Sequence, residues 1–336
     1  MNDAKMVLMI GRRDSYSEDF FKKIMEEADV KFLEKPEPTE DEIIKEISNV
    51  DVLIYSGRTR VSKRILDSGN RLKAIVLPSV GFDQVDVDSA TSNGILVVNT
   101  PSADDVVAEG TILFMIALAK QFPRLVDAAK KGIYVPTMKE SIELFGKTLG
   151  IIGLGRIGSR VAQIANALGM KVIAYSPHAT ARYARLLQVS LVDLSTLLRE
   201  SDFVSIHCPL TSETRHMIGE KELGLMKKSA FLINTARGEI VDENALYRFL
   251  KEGRIAGAGL DVFEAEPLRP DNPLLTLNNT ICTAHSISGS IERSMRIEQM
   301  VLDSVLRILR GTLPLYIVNP KVLDRILKYE LYPRSM

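Results

Sequence analysis

The chain has 336 residues, 46% of them hydrophobic, which is too long for one ordinary core and suits two domains of common size. Its 43 basic and 43 acidic side chains cancel, so nothing in the charge favours nucleic acid or an anionic membrane as a partner. Only two cysteines occur, Cys208 and Cys282, each inside an apolar run; they read as small core residues of a protein in a reducing compartment, the cytoplasm, and not as a disulfide framework.

The N-terminal stretch MNDAKMVLMIGRRD has a very short apolar run with no small-residue cleavage site behind it, so no signal peptide is expected. Strand-like runs follow at 7–10, 30–33, 52–55, 73–77 and 95–98. Amphipathic helical patterns at 17–28 and 39–47 lie between them, the second opened by Thr39 and Glu42 at capping-box spacing. The segment 104–122 predicts one long helix, apolar nearly all round at its centre, which must be buried in a core or against another subunit. Its longest apolar run, 112–119, is far below the roughly 20 residues that span a bilayer. A second alternating series has runs at 149–153, 171–175, 203–207, 230–234, 256–263 and 280–284. Its first helix stops at Gly169. A last helix runs from Ser290 to about Arg310, and the tail behind it has no strand partner of its own. Two successive α/β series predict two doubly wound parallel-sheet domains.

The strongest motif is GLGRIG, from Gly153 to Gly158. It follows a strand and opens a helix, the context a dinucleotide fingerprint requires. Gly153 makes the tight turn, Gly155 lets the backbone approach a pyrophosphate, and Gly158 lets the helix pack close on the strand. The helix start at Arg156 and Ile157 offers free N–H groups and a positive dipole end to the phosphates. The second strand of such a unit ordinarily ends in an acid that binds the adenosine ribose. Here it ends in Ser176, with His178, Arg182 and Arg185 nearby. A nicotinamide dinucleotide, NAD(P), is therefore expected, leaning toward NADP because no carboxylate repels a 2′-phosphate.

Hydride transfer to a 2-keto acid needs a cation for the carboxylate and a proton donor for the forming alkoxide. Three late segments follow strand-like runs: NTARG (234–238), LDVFEAEP (260–267) and TAHSISGS (283–290). With SVGFDQVD (79–86), PSADDVVAEG, GLGRIG, HCPLTSET (207–214) and NTARGEIVDENAL (234–246), they make the chain resemble the D-isomer-specific 2-hydroxyacid dehydrogenases. That family includes glyoxylate and hydroxypyruvate reductases, D-lactate dehydrogenases and phosphoglycerate dehydrogenases. The resemblance covers most of the chain. It implies that Arg237 binds the substrate carboxylate, that His285 is the acid/base and that Glu266 keeps His285 charged. It further implies that Asp261 holds the nicotinamide carboxamide, that His207, Pro209, Thr214 and Thr235 line the cofactor, and that N–H groups of Val80 and Gly81 add to the carboxylate site. By the same resemblance, residues 1–101 and 294–336 form a flavodoxin-like substrate domain and 102–293 a Rossmann nucleotide-binding domain, with the site between them. A homodimer through residues near 104–122 is implied too, and no metal.

The chain departs from the family's pattern in places. Ala284 stands before the histidine where Pro is usual, and Ser286-Ile287-Ser288 replaces a Gly-rich run. Phosphoglycerate enzymes usually carry Arg-Ser-x-Thr after the third strand; here the stretch is Ser56-Gly57-Arg58-Thr59. An unphosphorylated substrate, glyoxylate or hydroxypyruvate, is favoured, although Arg58 and Arg60 keep phosphoglycerate open as a substrate. A non-catalytic nucleotide-sensing protein on the same fold is the alternative of a different class.

Overall fold

The computed structural model describes residues 4–35, 37–135 and 140–326, and the chain divides into two compact units. The first comprises the residues up to Ser102 and those from Ser290 onward. Its elements alternate: β1 (Met6–Ile10), α1 (Glu18–Met25), β2 (Asp29–Leu33), α2 (Glu40–Ile47), β3 (Val52–Tyr55), α3 (Lys63–Ser68), β4 (Ala74–Val76), α4 (Val87–Ser92) and β5 (Leu96–Val98). The sheet order is β2-β1-β3-β4-β5, and every pairing is parallel. This is the flavodoxin-like order, with helices on both faces. The capping box at Thr39 and Glu42 is formed. α2, α3 and α4 put Ile43, Ile47, Ile65, Leu66 and Ala90 on one face of the sheet. α1 and the closing helix Ile291–Leu309 cover the other with Phe20, Ile24, Val301, Val305 and Ile308. Past that helix the tail does find a strand neighbour. Ile317 bridges antiparallel to Val98, and the Val318 N–H donates to the Val97 carbonyl at 2.8 Å.

The second unit runs from Ala103 to Gly289. It contains α5 (Asp104–Ala119), α6 (Phe122–Lys130), β6 (Thr148–Ile152), α7 (Arg156–Ala167), β7 (Lys171–Tyr175), α8 (Ala181–Leu186), β8 (Ser190–Leu191), α9 (Leu194–Glu200), β9 (Phe203–Ile206), α10 (Glu220–Leu223), β10 (Phe231–Asn234), α11 (Glu243–Lys251), β11 (Gly257–Leu260) and β12 (Thr280–Cys282). The closing helix of the first unit is α12. The seven strands run in the order β12-β11-β10-β9-β6-β7-β8, all parallel. That is a Rossmann order extended by one strand, reversing between β6 and β9. Ligands of open α/β sheets bind at the carboxyl ends of strands beside such a reversal.

The expected helix 104–122 is shorter than its apolar pattern. α5 stops at Ala119, Gln121 takes a left-handed φ of 49°, and α6 restarts with Pro123 in its first turn. The two axes differ by 65°. Ten residues of α5 are buried, but Leu113 and Ile116 are 55% and 41% exposed, so its outer stripe is apolar and uncovered. Among the described residues no single helix is long and apolar enough to cross a membrane.

Candidate active site

The turn after β6 shows why three glycines are spaced as they are. Gly153 has φ +98°, and a Cβ there would lie 2.7 Å from the Cys208 nitrogen. A Cβ on Gly158 would lie 2.1 Å from the Gly153 carbonyl oxygen, so only glycine lets α7 start this close to the turn. A Cβ on Gly155 would meet nothing within 4 Å, which leaves space outside the loop. Gly155 caps α7 without a side-chain bond, so the positive dipole end of a 12-residue helix has no side-chain acceptor from its own cap. This arrangement suits a pyrophosphate. The Arg156 guanidinium pairs with Asp104 at 2.7 Å, and Ile157 packs half-buried against the core.

β7 ends at Tyr175, and the Ser176 carbonyl accepts the Ala179 N–H in a tight turn. His178 and Arg182 are exposed beside it, and Thr180 caps α8. At the end of β9, burial pushes the His207 imidazole down to about 3, so it is neutral, and its Nε2 lies 2.8 Å from Ser205 Oγ. Thr214 Oγ1 donates to the Pro209 carbonyl at 2.7 Å and folds the 207–214 loop back on itself. Thr235 Oγ1 lies 3.1 Å from the buried Thr111 of α5.

Asp261, only 3% exposed, organises the loop after β12. Its Oδ1 accepts from Thr283 Oγ1 (2.6 Å), the Ser286 N–H (2.8 Å) and the Ile287 N–H (3.1 Å), while its carbonyl accepts the His285 N–H at 2.7 Å. His285 sits between these anchors with a left-handed φ of 53°. A non-glycine residue there is uncommon and is held by its surroundings. The imidazole Nδ1 lies 2.7 Å from Glu266 Oε2, and Glu266 Oε1 accepts the Phe263 N–H at 3.2 Å. Burial pushes the Glu266 carboxyl up, but the His285 hydrogen bond and charge, the Phe263 N–H and the nearby Arg237 outweigh it and hold the group below its ordinary range. Glu266 is therefore an anion, its partner nitrogen is Nδ1, and Nε2 is the ring nitrogen left for a substrate.

Arg237 leaves β10 three residues before Ile240, half-buried, with Nη1 on the Ala236 carbonyl at 2.7 Å. Asn234, buried at the strand end, ties the loop by donating to the Arg237 carbonyl and accepting the Ala236 N–H. Gly238 then lies against the backbone of the Glu266 loop: a Cβ would be 1.9 Å from the Phe263 carbonyl carbon. Arg237, Glu266 and His285 thus come together on three adjacent loops at the carboxyl ends of β10, β11 and β12. Asn234 and Gly238, both inside the NTARG stretch, shape the Arg237 loop, while Ser205 and Thr111 contact His207 and Thr235 and carried no sequence signal to single them out.

In the first unit, Val80 and Gly81 follow β4. Their carbonyls are taken by Asn99 Nδ2 and Ser79 Oγ, both at 2.8 Å, whereas their N–H groups have no protein acceptor among the described residues. Arg58 donates to Glu37 at 2.9 Å in an exposed ion pair.

Comparison with known proteins gives a consistent picture. Residues 112–286 match the family model "D-isomer specific 2-hydroxyacid dehydrogenase, NAD binding domain". The D-3-phosphoglycerate dehydrogenase of Methanocaldococcus jannaschii is 43% identical over 84% of this chain, which spans only 54% of that relative's length. The glyoxylate reductase of Korarchaeum cryptofilum is 41% identical over 85% of this chain and 87% of its own. Among solved structures, D-lactate dehydrogenase from Aquifex aeolicus, complexed with NAD and lactic acid, is 32% identical with a TM-score of 0.82, covering 93% of this chain and 99% of that one.

Proposed function

We propose a substrate and a mechanism on one premise: the chain belongs to the D-isomer-specific 2-hydroxyacid dehydrogenase family and is a nicotinamide-dependent oxidoreductase of 2-hydroxy and 2-keto acids. The preferred substrate is a small unphosphorylated 2-keto acid, glyoxylate or hydroxypyruvate, reduced to its D-2-hydroxy acid. The observation that carries the mechanism is the 2.7 Å contact between His285 Nδ1 and an ionised Glu266 beside Arg237.

A nicotinamide held there would supply a hydride for the keto carbon. Arg237 holds the substrate carboxylate and polarises the keto oxygen. The N–H groups of Val80 and Gly81 are two further donors offered to a substrate carboxylate. His285 gives its Nε2 proton to the developing alkoxide, and Glu266 favours the imidazolium that can do so. Asp261 has Oδ2 left to hold a carboxamide, since Oδ1 is engaged by the His285 loop. Gly153, Gly155, Gly158 and the N–H groups of Arg156 and Ile157 cradle the pyrophosphate, with His207, Pro209, Thr214 and Thr235 along the cofactor. In this reading residues 102–293 are the nucleotide-binding domain, and 1–101 with 294–336 are the substrate domain.

Two features favour the finer choices. Arg58 already pairs with Glu37 at 2.9 Å, which makes it less available to a substrate phosphate. Ser176 presents no carboxylate to a 2′-phosphate, and Arg182 stands exposed nearby, which favours NADPH. The exposed Leu113 and Ile116 stripe of α5, with Phe122 56% exposed, supports a homodimer through this region. Two unpaired cysteines suit the reducing cytoplasm.

A panel of glyoxylate, hydroxypyruvate, pyruvate and phosphohydroxypyruvate, each with NADH and NADPH, tests the reading. Glyoxylate or hydroxypyruvate should lead, with NADPH used at least as well as NADH, and Ser176→Asp should shift preference to NADH. A lead for phosphohydroxypyruvate overturns the substrate assignment. An NADH preference of about a hundredfold, some 2.7 kcal/mol, overturns the cofactor assignment. His285→Ala should lower turnover by roughly 10² to 10⁴; full turnover in that variant refutes the acid/base role.

A further inference from the structure

A second histidine–glutamate pair lies one residue beyond the Phe263 backbone that anchors Glu266. His216 Nε2 is 2.9 Å from Glu264 Oε1. The same oxygen accepts the Glu243 N–H at 3.1 Å, and in return the Glu264 N–H donates to Glu243 Oε2 at 3.0 Å. Glu243 Oε1 accepts Asn272 Nδ2 at 2.7 Å, which pins the network to the far end of the Glu266 loop.

His216 is also tied to the Arg237 loop. Its own N–H donates to the Glu239 carbonyl at 2.8 Å, and Ile218 bridges in parallel to Val241. Its φ of 52° is left-handed, a conformation that holds only where several contacts fix it. Two residues earlier, Thr214 closes the 207–214 loop. The charged groups facing His216 are Glu264, Glu243 across the shared hydrogen bonds, and Glu239, which is 3.7 Å from Arg215.

We propose that His216 is a positioning residue: its bond to Glu264 locks the loop bearing Glu266 in register with the loop bearing Arg237 and with the loop that ends at Thr214. The inference rests on the acid/base reading above and extends it to a side chain outside the proposed substrate and cofactor residues. The mechanical path is short. Glu264 follows Phe263, whose N–H holds Glu266 Oε1, and Gly238 abuts the Phe263–Glu264 peptide. Loosening Glu264 lets Glu266 drift from His285 Nδ1 and leaves the imidazolium less favoured.

The test uses His216→Ala and His216→Gln in the full chain, with kcat and KM for reduction measured across pH beside thermal denaturation. His216→Ala should lower kcat roughly tenfold, a smaller loss than the hundredfold of a full 1 Å misplacement. Its reduction rate should fall away at a lower pH than in the unaltered protein, with KM for the nicotinamide cofactor nearly unchanged. His216→Gln keeps an N–H donor for Glu264 and should restore both kcat and the pH limb. A pH profile that superimposes on that of the unaltered protein overturns the proposal. So does a loss equal at every pH that glutamine does not rescue, since that is what mere destabilisation produces. The underlying mechanism fails separately: an active His285→Ala removes the acid/base reading, whereas an inactive His285→Ala with a neutral His216→Ala removes only the positioning role.

Discussion

Gly238→Ala isolates the contact between the Arg237 and Glu266 loops. The φ of Gly238 lies outside the left-handed region, so an L-residue can adopt its backbone without strain. The objection to alanine is purely one of space. The added Cβ would lie 1.9 Å from the Phe263 carbonyl carbon, 2.1 Å from its oxygen and 2.5 Å from the Glu264 nitrogen. All three are backbone atoms, so no side chain can swing aside. Real Cβ contacts stay above 3.0 Å, and the two loops must part by about 1 Å. Overpacking of this kind costs about 1–3 kcal/mol of stability, which a domain of this size tolerates. The same 1 Å moves Arg237 relative to Glu266 and His285, and a misplacement of that size costs about 10² in kcat/KM. The assay is steady-state reduction of glyoxylate or hydroxypyruvate beside cofactor titration by fluorescence and a melting curve. The expected result is a hundredfold loss in kcat/KM with cofactor affinity close to normal, because the glycine turn proposed for the pyrophosphate lies at β6. A variant with kcat/KM within about threefold of the unaltered protein would show that this contact does not set the arginine, and the reasoning would be wrong.

Gly155→Ala should be neutral for folding, because its Cβ meets nothing within 4 Å, yet weaken the nicotinamide cofactor about tenfold or more by standing where the pyrophosphate approaches; unchanged cofactor affinity would remove this glycine from the site. Glu266→Gln keeps a hydrogen-bonding partner for His285 but deletes an anion whose depressed titration keeps it charged well into acid. Reduction, which needs the imidazolium, should then fail at a lower pH than normal, and oxidation should extend further into acid; two unmoved limbs would refute the charge-pairing role. His207 is neutral in the fold, with its titration pushed down to about 3. A lowered histidine means that the unfolded chain binds the proton first, so stability is full above the ordinary value of 6.5 and declines as pH falls toward 3. The loss is about 1.4 kcal/mol per unit, or about 2 kcal/mol at pH 5. His207→Gln should narrow the difference in unfolding free energy between pH 7 and pH 5, read by denaturant titration, by that amount, and an equal acid loss in both proteins would contradict the burial argument.

Much of the scaffold was legible because buried parallel strands are written as unbroken apolar runs, as in Val7 to Ile10 and Val52 to Tyr55. Helix ends were legible where one residue type serves a single geometric purpose. Thr39 and Glu42 close their capping box, and Gly169 takes φ +75° just past α7. The failures have equally local causes. β8 is two residues long at a sheet edge, too short to carry a period. The break at Gln121 depends on a left-handed turn that glutamine rarely adopts, so the apolar pattern ran through it. The tail pairs through one bridge at Ile317, which no alternation announces. Around the active site, the spacing of Arg237, Glu266 and His285 carried a resemblance. The pairing of His216 with Glu264, 48 positions apart, is visible only once the loops after β9 and β11 are brought side by side.

The divided make-up of the first unit bears on how this protein is born. Its sheet is complete in sequence by Val98, yet the face lined by Val7, Met9, Val52, Ile54 and Val76 is roofed by α12, which is translated only after the whole second unit. At about 5–20 residues per second a ribosome needs roughly 10 to 40 s to cross that stretch. Throughout that interval α1 alone covers this face of the nascent sheet, and the part that α12 will cover stays bare, while the continuous stretch from Ala103 to Gly289 carries all seven strands of its own sheet. The chain therefore has its greatest need of a chaperone midway through synthesis, before its last long helix leaves the exit tunnel.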